Sequence, residues 1–119
     1  MNAPVLAALG LTLTAALVGC SEADLPQRTM RRDDCLRDVS LQALPQALRR
    51  CDQVVARFAN DPGPRNERSV LLALAGDDKA ACRDIEAAMT LVRQAPAKRL
   101  DPLLVSELKT RHQSCRDAN

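Results

Sequence analysis

Residues 45–58, PQALRRCDQVVARF, carry the clearest helical pattern in this chain. Apolar side chains recur there at spacings of three and four residues, and they are opposed by Arg49, Arg50, Asp52, Gln53 and Arg57. The apolar set is Ala47, Leu48, Cys51, Val54, Val55 and Phe58. A stripe with this period predicts an amphipathic helix, and a proline at residue 45 suits its first turn. No segment shows a period-two alternation long enough for a strand, so we expect an all-α fold.

Four other segments are predicted to be helical, which gives about five short helices in antiparallel hairpins. They cover residues 33–43, 66–76, 77–95 and 101 onward. Asn66 and Asp77 or Asp78 are suitable N-caps, and Gly76 can supply the left-handed residue that ends a helix. The run Asn-Asp-Pro-Gly-Pro at residues 60–64 predicts a turn.

The N-terminal segment is uncharged and apolar from Val5 to Val18, which is too short for a permanent membrane span. It ends in Leu17-Val18-Gly19-Cys20, which resembles the lipobox of bacterial lipoproteins. The resemblance implies that residues 1–19 are a signal peptide and that Cys20 is lipidated after cleavage. Residues 20–32 are then a tether, and residues 33–119 form the helical domain.

The same resemblance predicts where the protein works. Fatty-acyl groups such as palmitate on Cys20 would anchor it firmly to a membrane. Ser21 follows the cysteine, and a residue other than aspartate at that position resembles lipoproteins of the outer membrane. We therefore expect a lipid-anchored protein of the bacterial cell envelope, facing the periplasm.

The other four cysteines form an even set, which predicts two disulfides in an oxidising compartment. Residues equidistant from the turn of a helical hairpin face each other. A Cys35–Cys51 pair has its midpoint beside the turn before Pro45, and a Cys82–Cys115 pair has its midpoint in the turn before Asp101. These are the predicted pairs. A zinc or redox site would need a CxxC pair or a Cys/His cluster, so we expect no metal and no cofactor.

A repeat relates two of the predicted helices. An offset of 34 residues places Ala47 on Ala81, Arg49 on Arg83 and Val55 on Met89. Residues 62–94 resemble one tetratricopeptide unit, through the set Leu72, Gly76, Ala81, Ile85 and Ala88. The resemblance implies a groove for a peptide or a partner protein. The usual aromatic residues are missing and fewer than three units are present, so an unrelated helical bundle is the alternative.

Composition and missing motifs exclude several functions. The chain has a net charge of +2, one Phe, and neither Trp nor Tyr, which argues against a nucleic-acid partner. His112, the only histidine, is predicted to be a surface residue rather than a catalytic base. Without a nucleophile motif or a glycine-rich phosphate loop, no catalytic residue is predicted and an enzyme is not expected. The basic cluster Arg28, Arg31, Arg32 and Arg37 is either a contact for anionic lipid headgroups or an ordinary solvated surface.

Together these features predict an envelope lipoprotein whose helical domain binds a protein as a scaffold or adaptor. The alternative is a small inhibitor lipoprotein of the immunity or entry-exclusion type, which blocks a toxin or a conjugation apparatus. The sequence leaves the oligomeric state open.

Overall fold

The computed structural model describes residues 29–118, and this part of the chain is all-helical, as predicted. Its four α-helices are α1 (Leu44–Arg57), α2 (Pro62–Leu74), α3 (Asp78–Gln94) and α4 (Pro102–Asp117). Each helix packs on the next one in the chain. Two short 3₁₀ turns, Leu41–Ala43 and Ala97–Arg99, precede α1 and α4. Over residues 29–118, none of the helices combines the length and the apolar character that crossing a membrane requires.

The start of α2 corrects the sequence prediction. Residues 60–64 were expected to form a turn, with Asn66 capping the helix, yet α2 already begins at Pro62. The carboxylate of Asp61 accepts the backbone N–H of Gly63 at 2.8 Å and caps the helix. Prolines are tolerated in the first turn because the N–H groups there have no intrahelical acceptor. Asn66 instead lies buried within α2.

The turn between α2 and α3 confirms the predicted roles of Gly76 and Asp77. Gly76 has a φ of +80°, in the left-handed region. Its N–H bonds the carbonyl of Ala73, and the N–H of Asp77 bonds the carbonyl of Leu72, which together form a Schellman motif. The carboxylate of Asp77 then caps α3 by accepting the N–H of Ala80 at 2.9 Å. One short turn therefore ends α2 and starts α3.

The helix predicted at residues 33–43 is wrong, because only Leu41–Ala43 adopts a helical, 3₁₀ conformation. Asp34 does not cap a helix; its carboxylate accepts the N–H of Arg31 at 2.7 Å and closes a turn. Asp38 has a φ of +52°, which interrupts a right-handed helix. This segment instead packs on α1, to which the Cys35–Cys51 disulfide ties it.

Both predicted disulfides are present. The Cys35–Cys51 bond joins Cα atoms 4.4 Å apart, and the Cys82–Cys115 bond joins Cα atoms 5.7 Å apart. The second bond staples the hairpin of α3 and α4, as expected. The first joins α1 to a non-helical segment, so its pairing was predicted correctly although the predicted helix is absent. Cys35 and Cys51 are fully buried, whereas Cys82 and Cys115 are partly exposed.

The core consists of two separate apolar clusters. The larger one combines α1, α2 and the segment before them, through Cys35, Leu44, Ala47, Cys51, Val54, Val55 and Leu71. Met30, within the predicted tether, packs against this cluster. The smaller cluster joins α3 to α4 through Ile85, Ala88 and Leu108. The Cys35–Cys51 disulfide lies within the larger cluster, and the Cys82–Cys115 disulfide joins the two helices that form the smaller one.

Candidate binding groove

A groove of about 630 Å³ opens at one end of the domain, where the α1–α2 turn lies beside the α3–α4 turn. The α1–α2 side contributes Arg57, Phe58, Asn60, Asp61 and Pro62. The α3–α4 side contributes Leu91, Gln94, Pro96, Arg99, Leu100, Asp101 and Leu104. The two sides come together because α2 packs on α3 between them.

The apolar lining of the groove belongs to the folded core. Phe58, the only aromatic residue in the chain, packs against the larger apolar cluster. Leu104, on the other side, packs against the smaller cluster. Pro62 is buried at the start of α2. Since core packing holds these side chains, the apolar part of the groove is formed before any ligand binds.

An ion pair fixes one edge of the groove. Arg32 reaches Asp61 through two contacts, from Nε to Oδ2 at 2.9 Å and from Nη2 to Oδ1 at 3.0 Å. The same carboxylate caps α2, so it is already engaged twice. Asp101 likewise caps α4 by accepting the N–H of Leu103 at 2.9 Å. Both carboxylates in the groove therefore cap helices of the domain.

Two arginines in the groove, Arg57 and Arg99, have no ion-pair partner among residues 29–118. Arg57 ends α1 and Arg99 ends the 3₁₀ turn before α4, and both side chains are exposed. Within residues 29–118, neither makes an ion pair or a hydrogen bond through its guanidinium. The same holds for the side-chain amides of Asn60 and Gln94. The groove thus offers an apolar floor of Phe58, Pro62 and Leu104, two positive charges and two amide groups, beside the carboxylate of Asp61, which Arg32 neutralises, and that of Asp101.

A second hollow, of about 750 Å³, lies over the Cys82–Cys115 disulfide between α3 and α4. There Nε2 of His112 lies 2.6 Å from Oε2 of Glu86. This hydrogen bond is the main reason why the pKa of Glu86 falls below its ordinary value. The hollow is lined mainly by charged side chains and by no large apolar one, which makes it the weaker candidate for a binding site.

The predicted basic cluster is largely neutralised inside the domain. Arg31 pairs with Asp33 at 3.2 Å, and Arg37 pairs with Asp33 at 2.9 Å. Arg32 pairs with Asp61, as described above. Arg28 lies outside the described residues, as do the lipobox and Cys20. Between residues 29 and 118, no group of three or more His, Cys, Asp or Glu side chains could hold a metal ion.

No protein-family model, curated protein or solved structure matches the chain. The resemblances to lipoproteins and to tetratricopeptide units therefore rest on the residues quoted above. Sequence reasoning singled out neither Arg57 nor Arg99 as a site residue. The repeated Asp-Pro at residues 61–62 and 101–102 marks the two helix starts that meet at this end of the domain, but no sequence signal marks the two arginines themselves.

Proposed function

We propose that this chain is a lipid-anchored protein of the bacterial cell envelope whose helical domain binds another protein as an adaptor. The observation that carries the binding role is the preformed groove, with its apolar floor and its two arginines, Arg57 and Arg99, which have no partner among residues 29–118. The lipobox-like Leu17-Val18-Gly19-Cys20 supports the anchor. The two disulfides support export, because such bonds form and persist in oxidising compartments.

The chemistry of the groove favours binding over catalysis. Its titratable side chains are arginines and two aspartates that cap helices. An arginine holds its proton at every physiological pH and is a poor general acid or base. The only histidine lies in the other hollow, engaged with Glu86. Recognition of a partner is the role that these side chains suit.

Site-specific photocrosslinking in cells tests this proposal. A photoreactive residue in place of Gln94 lies in the groove, and the same residue in place of Gln53 lies on the exposed face of α1, away from the groove. We expect Gln94 to yield a defined crosslinked partner and Gln53 to yield none. Equal crosslinking at both positions, or none at Gln94, would contradict the proposal.

The identity of the crosslinked protein separates the two functional classes. An envelope-assembly component supports the adaptor. Capture of a toxin from competing cells, or of a component of a conjugation apparatus, would instead support the inhibitor function. The experiment requires the full chain in its native membrane, where the groove and the anchor act together.

A further inference from the structure

The two free arginines of the groove come from opposite sides of it. Arg57 is the last residue of α1, and Arg99 is the last residue of the Ala97–Arg99 turn. The carbonyl groups at the C-terminal end of α1 favour the charge of Arg57, and the side chain of Arg99 is exposed to solvent, so neither needs an intramolecular carboxylate. Both guanidinium groups are therefore available to an anionic ligand that lies across the floor.

We propose that the groove binds an extended, acidic peptide segment that carries aliphatic side chains. Carboxylates of the segment would pair with Arg57 and Arg99, while an aliphatic side chain packs between Phe58 and Leu104. This inference rests on the proposed function, since it names the chemistry of the partner. Asn60 and Gln94 complete the site, because each can donate a hydrogen bond to a peptide carbonyl and accept one from a peptide N–H.

The same features argue against a lipid as the occupant. A fatty-acyl chain would cover the amides of Asn60 and Gln94 without offering them a hydrogen bond, and burial of unpaired polar groups is costly. A peptide satisfies those groups through its backbone. Moreover, Arg31, Arg32 and Arg37 are already paired with aspartates, so the surface near the groove lacks the broad positive charge that favours anionic membranes.

The test uses two synthetic peptides of one length, one alternating Glu and Leu and the other alternating Lys and Leu. Fluorescence anisotropy measures their binding to the full-length protein. The acidic peptide should bind and the basic one should not. The double variant Arg57→Gln/Arg99→Gln should weaken binding by at least about tenfold, as expected when charge-assisted hydrogen bonds are lost.

A matched control removes the same total charge elsewhere. Arg49 and Lys109 are exposed, lie outside the groove and make no ion pair within the described residues. The variant Arg49→Gln/Lys109→Gln should bind the acidic peptide within about twofold of the wild type, since distant surface charges are screened. Equal losses in both double variants would show general electrostatic attraction and would overturn the inference.

The same variants test two other occupants of the groove, a membrane surface and a second copy of the chain. Stronger binding of the wild type than of Arg57→Gln/Arg99→Gln to phosphatidylglycerol vesicles, without any peptide binding, would assign the groove to a membrane surface, since both proteins carry the same acyl anchor. Self-association that disappears in that variant would assign it to a second copy of the chain. Either result overturns the inference.

Photocrosslinking at Gln94 in the wild type and in the arginine variant distinguishes a failure of this inference from a failure of the proposed function. If Gln94 crosslinks a partner in cells and Arg57→Gln/Arg99→Gln leaves that capture unchanged, the acidic-peptide inference fails and the adaptor function stands. If Gln94 captures no partner at all, the adaptor function itself fails.

Discussion

Arg68 on α2 holds the carboxylate of Asp84 on α3 through two hydrogen bonds, each 2.7 Å long. Asp84 is only 4% exposed. The same guanidinium reaches Asp52 on α1 at 3.0 Å, so one side chain links three helices. Its hydrogen bonds to Asp84 are the main reason why the pKa of Arg68 rises above its ordinary value. This network joins helices whose apolar side chains belong to two different clusters.

The variant Asp84→Asn should destabilise the domain by about 3 kcal/mol, because it leaves the partly buried Arg68 without its main counter-charge. Asp52→Asn removes the exposed partner of the same arginine and should cost less than about 1 kcal/mol. Urea unfolding followed by circular dichroism measures both. Equal losses in the two variants would show that burial of Asp84 does not determine the strength of the network.

Removal of the Cys82–Cys115 disulfide should release α4 while α1 and α2 remain folded. α4 packs chiefly on α3, and its only buried side chain is Leu108. Loss of this cross-link is expected to remove about 3–4 kcal/mol of stabilisation in the chain-entropy treatment. Hydrogen exchange should therefore accelerate in α4 of the variant Cys82→Ser/Cys115→Ser and stay slow in α1. Uniform acceleration in both helices would contradict this expectation.

Removal of the Cys35–Cys51 disulfide should instead accelerate hydrogen exchange at the α1 end of the domain. Cys35 and Cys51 are fully buried in the larger apolar cluster. The variant Cys35→Ala/Cys51→Ala should lose about 3 kcal/mol and exchange faster through residues 30–57, because this bond ties the segment before α1 to the helix. Slow exchange throughout that range would show that apolar packing alone holds the segment.

Glu67 gives the stability a predictable pH dependence. Burial raises the pKa of Glu67 above its ordinary value, with a further contribution from Asp33, and Oε2 is buried without a hydrogen-bond partner among residues 29–118. A carboxyl whose pKa is raised by folding destabilises the fold at high pH, and the penalty disappears as the pH falls below the unfolded-state pKa. Glu67→Gln should therefore stabilise the domain at pH 7, by less than about 1 kcal/mol for a partly exposed group.

Thermal unfolding of Glu67→Gln and the wild type at two pH values tests this sign. The variant should have the higher melting temperature at pH 7. At about pH 3.5 the two proteins should have the same melting temperature, because the Glu67 carboxyl is then protonated in both the folded and the unfolded state. A gain in melting temperature that is the same at both pH values would show that side-chain charge is not its cause.

Gly76→Ala should cost about 1 kcal/mol, since an L-residue with a Cβ atom is strained at this positive φ. Apart from its chain neighbours, no atom of the described residues lies within 4 Å of such a Cβ atom, so the cost comes from the local backbone conformation and not from a clash with another part of the fold. Gly76→Asn should lose less, because asparagine tolerates the left-handed region better. Urea unfolding measures both variants, and equal losses would contradict the conformational explanation.

The sequence predicted the helices that have a strong apolar period, and its errors lie where side chains bind the backbone locally. Asp61-Pro62 and Asp101-Pro102 both start helices, yet the glycine and second proline after Asp61 favoured a turn. In residues 33–43, the bond from the Arg31 N–H to Asp34 and the positive φ of Asp38 replaced a helix. Neither feature has a periodic signature.

The groove was harder to predict than the fold because its parts lie far apart in the sequence. Phe58 and Leu104 belong to different clusters, and only the packing of α2 on α3 brings them to one groove. The arginines Arg31, Arg32 and Arg37 drew attention as a basic run, yet aspartates neutralise them. Arg57 and Arg99 lie far apart in the sequence, and their lack of partners among residues 29–118 is visible only in three dimensions.

Export and acylation at Cys20 can be checked by the intact mass of the protein purified from membranes of its own cells. We expect a chain that begins at acylated Cys20, with the other four cysteines resistant to alkylation until a reductant is added. A polypeptide that still begins at Met1, carries no fatty acid and has all five thiols free would contradict it.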